Sequence, residues 1–223
     1  MTNQSESPGT DLPRTVFRRT VLVAGASSGS GRAVCAALTE AGAHVIAVGS
    51  SMDRLKPVRA THRFECDLTD ASAIDELVRA VHAAAGRIDG LIHLVGGWRS
   101  GHEEKDWVWL EARILDTLRH TTAAFRNDLG ASESGRLAIV STTAVDRPTW
   151  GNANYVTLKA ASEMWVASIA SAWAKPGNSA AVTFVVKALG DEEGFTPFEV
   201  LAERVLSLWD APAFMLNGQR IRL

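Results

Sequence analysis

The chain has 223 residues, of which 46% are hydrophobic, and its formal net charge is -2 at pH 7. This length without an internal Pro/Gly/Ser-rich linker predicts one domain, and the charge excludes the basic surface of a nucleic-acid-binding protein. The two cysteines offer no disulfide framework or metal spacing, and no apolar run approaches the ~20 residues of a membrane span. We expect a disordered tail over 1–17 and one globular domain over 18–223, in a cytoplasmic protein without a signal peptide.

Apolar runs of strand length alternate with helix-length segments along the whole domain, which is typical of a parallel sheet covered by helices on both faces. Strands are predicted at 21–24, 44–48, 63–66, 91–95, 137–141, 182–186 and 219–223. Helices are predicted from near 29 to 41 and at 70–85, 103–129, 153–173 and 198–208, with Asp70 as a cap and Gly130 as a stop signal.

A glycine-rich turn, Gly25-Ala26-Ser27-Ser28-Gly29-Ser30-Gly31, joins the first strand to the first helix. Gly25 permits a tight turn, Gly29 leaves room for a pyrophosphate at the backbone, and Gly31 lets the helix pack close to the sheet. The free N–H groups of the first helical turn would face that anion. A glycine triplet alone also fits an ordinary turn, but its place in a βαβ unit favours a dinucleotide cradle. The expected fold class is therefore α/β, a single-domain Rossmann-type doubly wound sheet of about seven parallel strands.

The single tyrosine of the chain, Tyr155, lies four residues before Lys159, so a helix places both on one face. A nearby ammonium and a cationic nicotinamide are expected to draw the phenol pKa from about 10 toward neutral pH, as a proton donor requires. Ser141 and Thr142 end a predicted strand, and either hydroxyl could help to polarise a carbonyl. Taken alone, a Tyr and a Lys spaced like Tyr155 and Lys159 are commonly two residues on the exposed surface of a helix. With the glycine turn and the strand-end hydroxyls the pair predicts a proton-donating site.

With these motifs the chain resembles the short-chain dehydrogenase/reductase family from Thr20 to Leu223. The family's Thr-Gly-x-x-x-Gly-x-Gly pattern is matched by residues 24–31. The resemblance implies catalysis by Tyr155 and Lys159 with Thr142 as the hydroxyl, and Ser141 is kept as the alternative. The residues expected to bind the cofactor are Gly25, Ser27, Ser28, Gly29, Ser30, Gly31, Ser50, Asp67, Leu68, Gly96 and Lys159.

The chain departs from the family pattern at three places. Where the family has Asn-Asn-Ala-Gly, this chain has His93-Leu94-Val95-Gly96. The family's catalytic Asn corresponds to a position near Arg113 or Ile114, where this chain has no Asn. The segment between the loop after the sixth strand and the next helix consists of residues 191–197 only. The substrate lid that the family usually has at this place is therefore expected to be short. The turn Gly96-Gly97-Trp98 is also similar to that of dihydropteridine reductases.

The end of the second strand indicates which nicotinamide cofactor is used. A site selective for NAD places Asp or Glu there, about 20 residues beyond the glycine turn, whereas this chain has Gly49-Ser50-Ser51. Either Arg32 or Arg54 could pair with a 2′-phosphate in the forked geometry that Arg favours. We therefore predict NADP, in preference to NAD.

Two functional hypotheses remain open. The Tyr155/Lys159 pair favours an NAD(P)H-dependent oxidoreductase of the carbonyl reductase or alcohol dehydrogenase type, acting on a small carbonyl or alcohol. The missing Asn and the short lid favour a non-redox cyclase, isomerase or nucleotide-sensing protein on the same scaffold. The family's habit of pairing two long helices implies a homodimer or homotetramer. No nucleic acid, membrane or metal partner is expected.

Overall fold

A computed structural model describes residues 18–175 and 177–223, so the tail predicted over 1–17 lies outside the described residues. The strands are β1 (Thr20–Ala24), β2 (His44–Gly49), β3 (His62–Glu65), β4 (Gly90–His93), β5 (Arg136–Thr142), β6 (Ala180–Val186) and β7 (Arg220–Arg222). They form one parallel sheet in the order β3-β2-β1-β4-β5-β6-β7. From β1 the strands are added outward in one direction to β3, and from β4 they are added in the other direction to β7. The switch point of the strand order therefore lies between β1 and β4. Ligands of doubly wound folds bind at this point, beyond the carboxyl ends of the strands.

Helices cover both faces of the sheet, as the alternating pattern predicts. They are α1 (Gly29–Glu40), α2 (Met52–Leu55), α3 (Ala71–Ala85), α4 (Glu104–Glu111), α5 (Thr117–Ala131), α6 (Ala153–Trp173), α7 (Phe198–Leu206) and α8 (Ala213–Leu216). One core lies between the sheet and α1 and α7, and the other lies between the sheet and α3, α5 and α6. Val21 and Val23 face the first core, while Leu22 faces the second, and all three are fully buried. The strands are therefore apolar on both faces, as central parallel strands must be.

Two predictions about the helices are confirmed by local contacts. Asp70 caps α3 by accepting a hydrogen bond from the backbone N–H of Ser72 at 2.8 Å. The longest helix, α6, has the predicted bounds of 153 and 173.

Two other predictions about the helices are wrong. The single helix predicted over 103–129 is interrupted by a π-helical turn, Ala112–Asp116, between α4 and α5. Gly130 does not stop α5, which continues to Ala131. Instead, its missing side chain leaves room for the indole of Trp173, since a Cβ on Gly130 would lie 3.3 Å from the indole nitrogen. Within the described ranges, no helix is both long enough and apolar enough to cross a membrane.

Candidate active site

Two adjoining clefts open at the carboxyl ends of the central strands. The tyrosine cleft, of about 710 Å³, is lined by Thr142, Tyr155 and Lys159 together with Ser30. The glycine-turn cleft, of about 500 Å³, is lined by the predicted cofactor residues Gly25, Ser27, Ser50, Asp67 and Leu68. Both clefts include Ser28 and Gly96 in their walls. The structure thus brings the two groups of predicted residues into one continuous depression.

The glycine turn leaves no space for a side chain at any of its three glycines. A Cβ on Gly31 would lie 2.3 Å from the carbonyl oxygen of Gly25, and Gly25 itself has a φ of +80°. A Cβ on Gly29 would meet the ring of Phe198 at 2.7 Å. The Ser28 hydroxyl accepts a hydrogen bond from the Gly31 N–H at 3.0 Å and so caps α1. This close turn before a helix of 12 residues fits the pyrophosphate of a dinucleotide.

The far end of the glycine-turn cleft carries a carboxylate that is fixed by its own loop. One oxygen of Asp67 accepts hydrogen bonds from the backbone N–H and the hydroxyl of Thr69, at 3.0 and 2.7 Å. These bonds, with a smaller contribution from Arg113, lower the pKa of Asp67. The adjacent Leu68 is buried, and its carbonyl oxygen lies 3.2 Å from Nδ1 of His120. Asp67 therefore offers an ionised acceptor in the glycine-turn cleft, at a position where the resemblance implies cofactor binding.

A serine that directly follows β2 and an arginine of α2 are in contact with each other. Arg54 donates a hydrogen bond to the Ser50 hydroxyl at 2.9 Å, and both residues line the glycine-turn cleft. Arg32 donates instead to the carbonyl oxygen of Ser27, at 2.7 Å. Of the two arginines considered for a 2′-phosphate, Arg54 is the one beside Ser50.

Tyr155 and Lys159 lie on the face of α6 that meets the tyrosine cleft. The Lys159 ammonium donates a hydrogen bond to the carbonyl oxygen of Val140 at 2.9 Å and lies 5.9 Å from the centre of the Tyr155 ring. Burial lowers the pKa of Lys159 to about 8, and the nearby carboxylate of Glu163 opposes that shift. The ammonium is thus held between a backbone oxygen and an acidic side chain.

The pKa of Tyr155 shifts in the direction opposite to the one we expected from the sequence. Burial raises it, and a hydrogen bond from the Thr142 hydroxyl offsets only part of that increase. The expected lowering is therefore wrong for the protein alone, because removing the phenolate from water outweighs its hydrogen bond. At neutral pH the Tyr155 hydroxyl keeps its proton.

The two strand-end hydroxyls are not equivalent. Thr142 lines the tyrosine cleft together with Tyr155, and its hydroxyl acts to lower the pKa of Tyr155. Ser141 is buried on the other face of β5, where its hydroxyl donates to the carboxylate of Glu163. Ser141 lines neither cleft. Its inclusion as a catalytic candidate is therefore corrected, because alternation along a strand sends neighbouring side chains to opposite faces.

His93 occupies the first position of the altered Asn-Asn-Ala-Gly segment and lines the tyrosine cleft. It is only 3% exposed, and its Nε2 has no hydrogen-bond partner among the described residues. Burial, together with the positive charge of Lys159, lowers the pKa of His93 to about 3. The ring is therefore neutral at physiological pH.

Sequence reasoning missed several residues that line the clefts. Arg113 lies on the π-helical turn and lines the glycine-turn cleft, and Lys187 and Phe195 line the tyrosine cleft. Lys187 directly follows the predicted strand 182–186, so the rule that ligands bind at carboxyl ends of strands could have identified it. The position of Arg113 depends on the π-helical turn, which has no clear signal in the sequence.

Known proteins that are similar to this chain agree with this geometry. The short chain dehydrogenase family model matches residues 19–190. The 2,3-dihydro-2,3-dihydroxybenzoate dehydrogenase of Bacillus subtilis is 29% identical over 160 residues, which are 65% of this chain and 60% of that protein. The fatty acyl-CoA reductase of Acinetobacter baylyi is 36% identical over 98 residues, which are 40% of this chain and 33% of that protein. The chain thus spans less than two thirds of either relative.

A solved structure extends the likeness to the fold of nearly the whole chain. It is an NADPH-bound short chain oxidoreductase from Pseudomonas aeruginosa PAO1, described as containing an atypical catalytic center. The TM-score is 0.84 at 17% sequence identity, over 92% of this chain and 95% of that chain. The family match covers most of the sheet and both clefts' principal residues, and the chain therefore belongs to the short-chain dehydrogenase family.

Proposed function

We propose that this protein is an NADPH-dependent oxidoreductase that interconverts a small carbonyl compound and its alcohol. The observation that carries the proposal is the meeting of Thr142, Tyr155 and Lys159 in one cleft that adjoins the glycine turn. A hydroxyl, a phenol and an ammonium at one site provide a proton donor and the groups that position it.

Each of the three side chains has a separate role in this proposal. The Tyr155 hydroxyl donates its proton to the carbonyl oxygen of the substrate. The Thr142 hydroxyl, which lines the same cleft, orients that oxygen. The Lys159 ammonium holds the nicotinamide ribose and stabilises the tyrosinate after proton transfer. When bound, the nicotinamide dinucleotide supplies the hydride. Because burial keeps Tyr155 protonated, the site suits reduction at neutral pH.

The preference for NADP rests on the end of β2. Ser50 stands where a site selective for NAD carries a carboxylate, and the Arg54 guanidinium is held 2.9 Å from its hydroxyl. Neither side chain would repel a 2′-phosphate, and the guanidinium can pair with it. The oxidised and reduced forms of NADP are therefore the proposed cofactors, ahead of NAD.

The proposal includes a small-molecule carbonyl or alcohol substrate and a cytoplasmic homodimer or homotetramer. The long helices α5 and α6 are the elements through which we propose that the subunits pair. On α6 the side chain of Met164 is 67% exposed, which fits an apolar surface that a second subunit covers.

The alternative is a non-redox cyclase, isomerase or nucleotide-sensing protein. The observation that favours it is the replacement of the family's asparagines by the neutral His93, whose Nε2 has no partner among the described residues, and by Arg113 or Ile114. Stoichiometry separates the two functions. In an assay of NADPH with a panel of aromatic and aliphatic aldehydes and ketones, an oxidoreductase consumes one NADPH for each alcohol formed. Product formation with the reduced-nicotinamide absorbance unchanged would instead establish the non-redox function.

A further inference from the structure

A third cleft, of about 410 Å³, opens beside the tyrosine cleft and shares Thr142, Ala144 and Lys187 with it. The sheet register pairs Thr142 of β5 with Val186 of β6, so Lys187 follows immediately at the same edge of the sheet. Lys187 thus lines both clefts, as does Thr142, whose hydroxyl we assign to orienting the substrate.

The third cleft has an excess of positive charge. Its lining includes Arg147, Lys187 and Arg222, with Asp146 as the carboxylate. Asp146 forms ion pairs with Arg220 at 3.0 Å and with Arg222 at 2.7 Å, so its charge is already matched. Arg147 and Lys187 form no ion pair with any residue in the ranges that the structure describes. Two cations are therefore left to bind an anion from solution.

The lining of the tyrosine cleft also includes apolar and aromatic side chains. Trp98 lines it with 63% of its side chain exposed, and Leu189 and Phe195 lie on the short loop after β6. An exposed indole in a cleft can stack on a flat or apolar body. A ligand that spans the two clefts would therefore present an apolar body to Trp98 and a negative group to Lys187.

We propose that the substrate of the tyrosine cleft carries a carboxylate, which Lys187 and Arg147 bind in the third cleft while the reacting carbonyl lies at Thr142 and Tyr155. This inference rests on the proposed function and specifies its substrate class. The residues Asp191, Glu192 and Glu193 lie on the same loop as Phe195 and are exposed. None of their carboxylates forms an ion pair with Lys187, so they leave its ammonium available.

The test uses two ligands of equal shape that differ in charge and do not react. Benzoate and benzamide are titrated separately into the protein saturated with oxidised NADP, and binding is followed by isothermal titration calorimetry. The titrations are repeated with Lys187→Met, with Arg147→Gln and with Lys175→Met, which removes an exposed lysine at the end of α6 as a matched control.

We expect the unmodified protein to bind benzoate at least about tenfold more tightly than benzamide, as one charge-assisted contact provides. Lys187→Met should abolish this difference, Arg147→Gln should reduce it, and Lys175→Met should leave it unchanged. Equal affinities in the unmodified protein, no binding of benzoate, or a preference that survives both substitutions would overturn the proposal. Because these titrations need no turnover, their result is independent of whether carbonyl reduction is observed.

Discussion

Ser141 and Thr142 are consecutive residues of β5, yet their hydroxyls serve opposite faces of the sheet. Thr142 lines the tyrosine cleft together with Tyr155, whereas Ser141 donates to Glu163 on the α6 side. Glu163 in turn forms an ion pair with Arg220 of β7 at 2.8 Å. One hydroxyl therefore belongs to the candidate site and the other to a structural network between α6 and β7.

The first prediction separates these two hydroxyls. Thr142→Val should lower kcat/KM by about 100-fold, because removing one hydrogen-bond donor from a reacting oxygen has an effect of this order. Ser141→Ala should change kcat/KM by less than about threefold, because Ser141 lines neither cleft and the Glu163 carboxylate keeps its ion pair with Arg220. Steady-state kinetics of both variants, with Thr142→Ser as the variant that keeps a hydroxyl, provides the comparison. A larger loss in Ser141→Ala than in Thr142→Val would contradict the assignment.

The second prediction concerns cofactor selection at Ser50. The unmodified protein should bind NADPH about 10- to 100-fold more tightly than NADH, as a charge-assisted contact of about 1 to 3 kcal/mol implies. Ser50→Asp should reverse this preference, because its carboxylate repels a 2′-phosphate and can accept bonds from a ribose 2′-hydroxyl.

A substitution of Arg54 also tests the proposed contact with the 2′-phosphate, because it removes the guanidinium that would pair with that phosphate. Arg54→Gln should weaken NADPH binding and leave NADH binding unchanged. Arg59→Gln is the control, since Arg59 pairs with Glu40 away from the cleft. The dissociation constants can be measured by quenching of tryptophan fluorescence. Equal affinities of the unmodified protein for the two cofactors would show that no residue of this site contacts the 2′-phosphate.

The third prediction concerns the pH dependence of Lys159. Its pKa is about 8, so the ammonium is present at lower pH and is lost as the pH rises through that value. An activity that needs the ammonium should therefore decline on the alkaline side. Glu163 opposes the lowering of this pKa, so Glu163→Gln should move the alkaline decline of kcat/KM to lower pH.

A control distinguishes this electrostatic effect from a general loss of stability. Glu76→Gln removes an exposed carboxylate on α3 and should leave the pH profile unchanged. A variant that is merely less stable would lose activity at all pH values without a shift in the profile. An unshifted alkaline decline in Glu163→Gln would show that Glu163 does not sustain the charge of Lys159.

The sequence could predict the fold because the alternation of strand-length and helix-length apolar segments can be recognised in the chain and is typical of a parallel sheet covered by helices. The dinucleotide cradle was predictable because Gly25 and Gly31 are required by the backbone itself. The direction of the Tyr155 pKa shift was not predictable, since it depends on burial by residues far away in the chain. From the sequence, Gly130 indicates the end of a helix. In the structure, the distant indole of Trp173 explains why this position has no side chain. The choice between Ser141 and Thr142 required the register of β5 against α6.

The substitution Tyr155→Phe tests the central claim most directly, because it removes the proton donor and retains the ring. The phenol acts chiefly in the transition state, so the change should lower kcat by about 10²- to 10⁴-fold. The dissociation constant of NADPH should stay within about twofold of the original value, since the hydroxyl is not needed for cofactor binding. Single-turnover measurement of NADPH oxidation, combined with a binding titration, gives both quantities on the same protein. Undiminished turnover in Tyr155→Phe would contradict the account of this protein as a Tyr155-dependent oxidoreductase.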